Sequence, residues 1–209
     1  VITVLALILI SFIPAKYNKD FKKQKKHIDT LTIINPIVEI IADNNKTSYL
    51  DSTLSESNQN LLEKITFDLL SKKYVLHNGD LPNFNYDNYY KVYSKLVDSP
   101  KTLQGISIES VIDISGLKFE SRYALLLVYF GTINPDFSPH HNLTAGMASN
   151  SIVIAPHTKP HSDLQLLIID TESNEIVFFD QRETSNIDPR VPEEVEQVTK
   201  TILKKIYYK

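Results

Sequence analysis

Four histidines fall within one short stretch: His140, His141, His157 and His161. Neutral imidazole is the commonest metal ligand among side chains, and two His four apart on a helix share a face. His157 and His161 have that spacing in H-T-K-P-H, with Asp136 and Asp163 as nearby carboxylates. Pro156 and Pro160 argue against a helix there, because proline removes an amide donor and clashes with the preceding turn. The four histidines are therefore a candidate Zn²⁺ or other divalent-metal site on a loop; the plainer reading is solvated loop side chains. Tyr86, Tyr89, Tyr90 and Tyr93 form a second cluster. Rings so spaced either pack against a sheet or offer a stacking surface to a sugar or peptide.

Other chemistry finds little support. Ser, His and Asp are all present, but there is no G-x-S-x-G elbow to hold a nucleophile. Five Gly are scattered, with no Gly-rich phosphate cradle, which disfavours phosphoryl transfer and dinucleotide binding. Cys is absent, so disulfides, zinc thiolates and thiol nucleophiles are excluded. The pairs Asp170 with Glu172 and Glu193 with Glu194 read as turn and helix-start charges. No cofactor is expected.

The elements that would position these residues alternate. Residues 28–41 are rich in Ile, Val and Thr and predict one or two strands, with Pro36 at an edge or bend. Residues 57–72 predict a helix capped by Ser55 or Ser57, with Leu62, Ile65 and Leu69 on one stripe. Residues 74–76 predict a short strand and 77–80 a turn. Residues 86–96 predict a helix with Tyr89, Val92, Tyr93 and Leu96 on one face. Residues 106–114 fit a short helix or a strand. The run YALLLVYF at 123–130 predicts a central strand buried on both faces, ended by Gly131. Residues 164–179 predict a hairpin around a polar turn. Pro192 opens a last helix, with Val195, Val198, Ile202 and Ile206 as its stripe. The patch AGMASNSIVIAP at 145–156 reads as a strand, or as a surface that packs on a partner or membrane.

That order, with the opening 28–41 strand, SKKYVL at 71–76 and LLIIDTESNEIVFF at 166–179 before a terminal helix, resembles the small α/β domain of bacterial envelope lipoproteins of the curli-secretion and penicillin-binding-protein-activator type. The resemblance implies a non-enzymatic role in envelope assembly or partner binding. The lipobox Cys of those proteins is missing here, so their lipid anchor is not expected.

Charge and hydropathy set the compartment. VITVLALILISFIP at 1–14 carries no charge. Fourteen helical residues rise about 21 Å, less than the roughly 30 Å of a bilayer core. That length suits an export signal, with an uncleaved anchor as the alternative. Residues 16–26 hold six Lys and one Asp, which leaves the rest of the chain at −8 against a net −3. A basic strip on an acidic domain fits a membrane surface and argues against nucleic acid.

The expectation is a single α/β (α+β) domain over 28–209, with a mixed sheet of about five strands and helices mainly on one face. Residues 1–15 would be a signal or anchor and 16–27 a basic juxtamembrane segment. The protein would be extracytoplasmic, in the periplasm or cell envelope, and non-enzymatic. It would bind an envelope protein or cell-wall component, touching a membrane through its N-terminal segment. The contrasting readings are a metal-dependent hydrolase using the loop histidines and a carrier of a small apolar ligand.

Overall fold

The computed structural model describes residues 14–44, 46–79, 83–112, 119–136, 160–185 and 187–207. Most of the 1–15 segment expected to be a signal or anchor, together with His140, His141, His157 and the 145–156 patch, lies outside them. The described residues form eight strands and four helices. The strands are β1 (Lys16–Tyr17), β2 (Thr30–Ile34), β3 (Ile37–Asp43), β4 (Ser48–Leu50), β5 (Val75–Gly79), β6 (Tyr123–Ile133), β7 (His161–Asp170) and β8 (Glu175–Thr184). The helices are α1 (Lys19–Gln24), α2 (Ser52–Leu70), α3 (Tyr86–Asp98) and α4 (Pro192–Leu203).

All strands join one mixed sheet, so the strand number is eight rather than about five. The order runs β1-β8-β7-β6 by antiparallel pairing. On the other side of β6, β2 and β3 lie parallel to it, one along its start and one along its end. Parallel β5 flanks β2, and antiparallel β4 flanks β3. The extra strands are short or interrupted, which is why apolar runs alone undercounted them.

Pro36 explains the interruption. Thr32 faces Ala124 and Ile37 faces Val128, so five steps of one strand match four of β6. One extra residue is accommodated at the Asn35–Pro36 jog, where the missing amide would have broken the ladder. The slip reverses the alternation. Ile34 and Ile37 lie on one side of the sheet, while Ile33 and Ile40 lie on the other.

The central strand β6 divides two cores. Leu125, Leu127 and Tyr129 pack with Phe21 of α1, Leu62 and Ile65 of α2, and Val195 and Ile202 of α4. Ala124, Leu126 and Val128 pack with Tyr89, Val92 and Leu96 of α3 and with Ile106, Ile108 and Val111. Three helices thus share one face, as expected, and α3 stands on the other. No helix among the described residues is long and apolar enough to cross a membrane.

Several boundaries differ from the sequence reading. The cap of α2 is Asp51, whose side chain accepts from the Leu54 amide at 2.9 Å; neither Ser55 nor Ser57 caps it. Ser55 is buried inside the helix and accepts from the Ile40 amide at 3.0 Å, tying α2 to β3. Residues 77–79 continue β5 rather than turning, because they pair with Thr32, Ile33 and Ile34. Residues 106–112 form neither helix nor strand. Ile108 O accepts from the Val111 and Ile112 amides, and four apolar side chains turn inward. Strand β6 runs through Gly131 to Ile133.

The basic strip belongs to the folded unit, which starts before residue 28. β1 pairs with β8, Asn18 caps α1, and Phe21 lies in the core. Lys16 is buried, and its ammonium donates to the Leu96, Val97 and Ser99 carbonyls, each at 2.6 Å.

Candidate binding face

Helix α3 lies across the second face of the sheet and fixes the tyrosine cluster. Asn85 caps its start, accepting from the Asn88 amide at 2.9 Å. Its end is held by Lys16, whose three donors meet carbonyls that have no partner within the helix. A cation there also complements the negative end of the helix dipole. Burial pulls the Lys16 ammonium below its usual range, against the opposing pull of Asp98.

The spacing of the four tyrosines puts them on one side of α3, at different depths. Tyr89 is fully buried, Tyr86 and Tyr93 are half-buried, and Tyr90 is 49% exposed. The Tyr90 ring stacks on Phe130 of β6, with centroids 5.7 Å apart and planes 23° from parallel. Phe84 meets Tyr86 edge-on at 4.8 Å and lies tilted against Tyr89 at 5.1 Å.

Beneath the rings the sheet is polar. Glu39, Phe130, Asp163 and Glu183 are register partners across four strands and so share a face. One step along, Gln165 and Gln181 are partners. Asp163 Oδ2 accepts from Gln165 Nε2 at 2.6 Å, and its Oδ1 from Gln181 Nε2 at 2.8 Å. Gln165 Oε1 accepts from the Tyr89 hydroxyl, and Gln181 Nε2 also donates to the Tyr93 oxygen at 2.5 Å. Gln181 Oε1 is buried with no hydrogen-bonding partner among the described residues.

The electrostatics favour neutral hydroxyls. Burial, with help from Asp163, pushes the Tyr93 hydroxyl up to about 12. Burial and then Glu39 raise Tyr86 and Tyr90. Tyr89 is raised well above its usual value, first by burial. Desolvation also raises the carboxyls of Glu39 and Asp163, in Asp163 against the two amide donors. The face therefore offers ring surfaces and carboxylate acceptors on a fixed platform. It has the chemistry to stack on and accept hydrogen bonds from a polyhydroxylated chain.

Of the candidates read from sequence, the four tyrosines come together and His161 lies near them. His161 Nε2 is 3.6 Å from Glu183 Oε1 at the start of β7. His140, His141 and His157 lie outside the described residues. Among the described residues, no three His, Asp or Glu side chains gather closely enough to hold a metal. The sequence reading missed Glu39, Phe130, Gln165 and Gln181. A signal was present: Asp163 and Gln165 alternate in β7, and Glu39 is the one charged residue between 30 and 42.

The domain is thus a mixed α/β fold with an aromatic and acidic face at one end of its sheet. No protein-family model matches the chain, and no curated protein matches it. Among solved structures, it is similar to the PelC dodecamer from Paraburkholderia phytofirmans at a TM-score of 0.37 and 8% identity, covering 87% of this chain and 89% of that one. The hypothetical protein CT253 from Chlamydia trachomatis follows at a TM-score of 0.31 and 11% identity, covering 75% and 70%.

Proposed function

We propose that this chain is a non-enzymatic cell-envelope protein that binds a cell-wall glycan on the α3 face. The observation that carries the reading is Tyr90, half exposed and stacked on Phe130. Glu39 and Asp163 act on it electrostatically. A large ring held rigid at the surface loses little entropy on binding, and carboxylates accept two or more hydroxyl donors. The envelope location rests on the uncharged export-type run at 1–14.

Titration calorimetry with soluble disaccharide–peptide fragments of the cell wall tests the binding. Tyr90→Ala should weaken it about fivefold to tenfold, while a change at exposed Lys64 on α2 leaves it unaltered. Equal affinity for the wild type and Tyr90→Ala, or no binding by either, removes the reading. Metal analysis of the purified chain tests the rival. A stoichiometric divalent ion lost on changing His157 and His161 to Ala would replace the proposal with a metal-dependent hydrolase.

A further inference from the structure

The lysines of the N-terminal strip divide into two groups. Lys16 and Lys25 turn inward: Lys16 holds the end of α3, and the Lys25 ammonium lies 4.6 Å from the Tyr17 ring centroid. Lys19, Lys22, Lys23 and Lys26 are all exposed. Their spacing of three, four and seven residues places them together on the side of α1 opposite Phe21, which is buried. Lys26 belongs to the 3₁₀ turn that continues the helix. The one acid among them, Asp20, is itself exposed, 3.8 Å from Lys23.

This group cannot swing freely. β1 pairs with Phe178 and Phe179 of β8, and the Asn18 amide donates to Val177 O at 2.8 Å. Phe21 packs edge-on against Tyr123 at 5.3 Å, and Gln24 accepts from the Tyr123 hydroxyl at 2.9 Å. The charges are therefore presented in one fixed direction. The uncharged run at 1–14 leads directly into β1 beside them, while the rest of the chain carries −8.

We propose that Lys19, Lys22, Lys23 and Lys26 seat the domain on an anionic lipid surface with the α3 tyrosine face turned away from it. Charge complementarity selects the surface, and the adjoining apolar run marks the side from which lipid is approached. The orientation follows from the sheet. α1 sits at the Tyr123 end of β6, and the Tyr90 stack sits at Phe130, about 24 Å further along the strand. The lipid contact does not depend on what the tyrosine face binds.

The test uses the full chain and vesicles of phosphatidylcholine, with and without about one-third phosphatidylglycerol. Each Lys near such a surface is worth about fivefold in partitioning at physiological salt. The wild type should prefer the anionic vesicles by at least about tenfold, and the preference should fall as salt rises. Changing Lys19, Lys22, Lys23 and Lys26 to Gln should remove that preference and leave binding to neutral vesicles unchanged. A charge-matched control changes the exposed Lys46, Lys64, Lys72 and Lys204 to Gln and should lose less than about threefold. All eight sites are exposed, and far-ultraviolet dichroism checks that both variants fold. An equal loss in the two variants would reduce the effect to net charge and overturn the proposal. So would a wild type that does not distinguish the vesicles, or one that ignores both but is retained on a polyanion.

The absence of Cys allows a single label to read orientation. An environment-sensitive dye at Gln104→Cys, which lines the same cleft as Lys19 and Lys23, should shift on binding anionic vesicles. The same dye at Ser185→Cys, just past the far end of β8, should not. The reverse pattern would overturn the orientation whatever the affinity.

Discussion

The two ends of α3 are fixed by opposite means. At the C-terminal end, three carbonyls meet one ammonium brought in from a strand about 80 residues away in sequence. At the N-terminal end Asn85 caps the helix, and behind it rings, two amides and one carboxylate hold its middle through a chain of hydrogen bonds. A single buried charge concentrates the dependence on one side chain. A network spreads it, so each deletion there costs less. The same division separates charge on the surface, with exposed lysines at one end and exposed ring and carboxylate groups at the other.

The sharpest break should come from Lys16→Met. It keeps the aliphatic stem but leaves carbonyls at the end of α3 unpaired in a dry site, at a cost of about 3 kcal/mol. Lys22→Met, on the exposed side of α1, should stay within about 0.5 kcal/mol. Urea unfolding midpoints of the two variants compare them directly. Equal effects would mean that Lys16 is one basic residue among several and has no special place.

Gly131→Ala probes how tightly the opposite end of the sheet is closed. A Cβ there would lie 2.6 Å from Ile40 Cδ1 and 2.8 Å from Pro189 Cγ. Ile40 is fully buried and the proline ring is stiff, so relief requires backbone movement. The expected loss is about 2 kcal/mol, read from the same unfolding curves. A neutral substitution would show that this end yields easily, and the rigid platform beneath the tyrosines would lose its basis.

The share of this comparison legible in the sequence differs between the ends. The unbroken apolar run of β6, the β7–β8 hairpin and the Pro192 start of α4 depend on local pattern and are all present, although β6 runs past Gly131 and both hairpin strands extend beyond 164–179. Pro36 at a bend is correct for the same reason. The role of Lys16 was hidden because its acceptors are remote in sequence and its neighbours are also lysines. β1 and β4 are too short to show a period, and Asp51 caps α2 from ahead of the two serines that the pattern offered for that place. The tyrosines were legible as a stripe. Their partners were less so, because the face of β3 that carries Glu39 is set by the one-residue slip at Pro36.

Asp163→Asn separates charge from hydrogen bonding at the network end. An Asn would present one amide to two glutamine donors, so one pairing is lost, at a cost of about 1.5 kcal/mol near neutral pH. The pH dependence is the more specific sign. Burial raises the Asp163 carboxyl, so the folded chain holds that proton more tightly than the unfolded one. Its contribution to stability is then fully present below about pH 4, the unfolded value, and is lost as pH rises through the raised titration. Glu39 and Asp180 are raised by burial in the same direction. Urea midpoints measured from acid to neutral pH should therefore slope downward, and less steeply in Asp163→Asn. An unchanged slope would assign the effect to the other two carboxyls.

The smallest expected effect is a contrast between two neighbours in the chain. Tyr89→Phe removes a buried hydroxyl and leaves Gln165 Oε1 without its donor, which should cost about 1 kcal/mol. Tyr90→Phe removes a hydroxyl from a ring that is half in water and should stay within about 0.5 kcal/mol. The stack on Phe130 depends on the ring and survives in both variants. If Tyr90→Phe costs as much as Tyr89→Phe, the outer tyrosine is part of the same structural network. Its exposure would then be incidental, and the α3 face would have no residue left free for a ligand. If the costs separate as expected, the Tyr90 ring is held in place by its stack on Phe130 while its hydroxyl contributes little to stability. A hydroxyl that the fold presents but does not use, on a ring that packing holds still, is the feature the binding proposal requires.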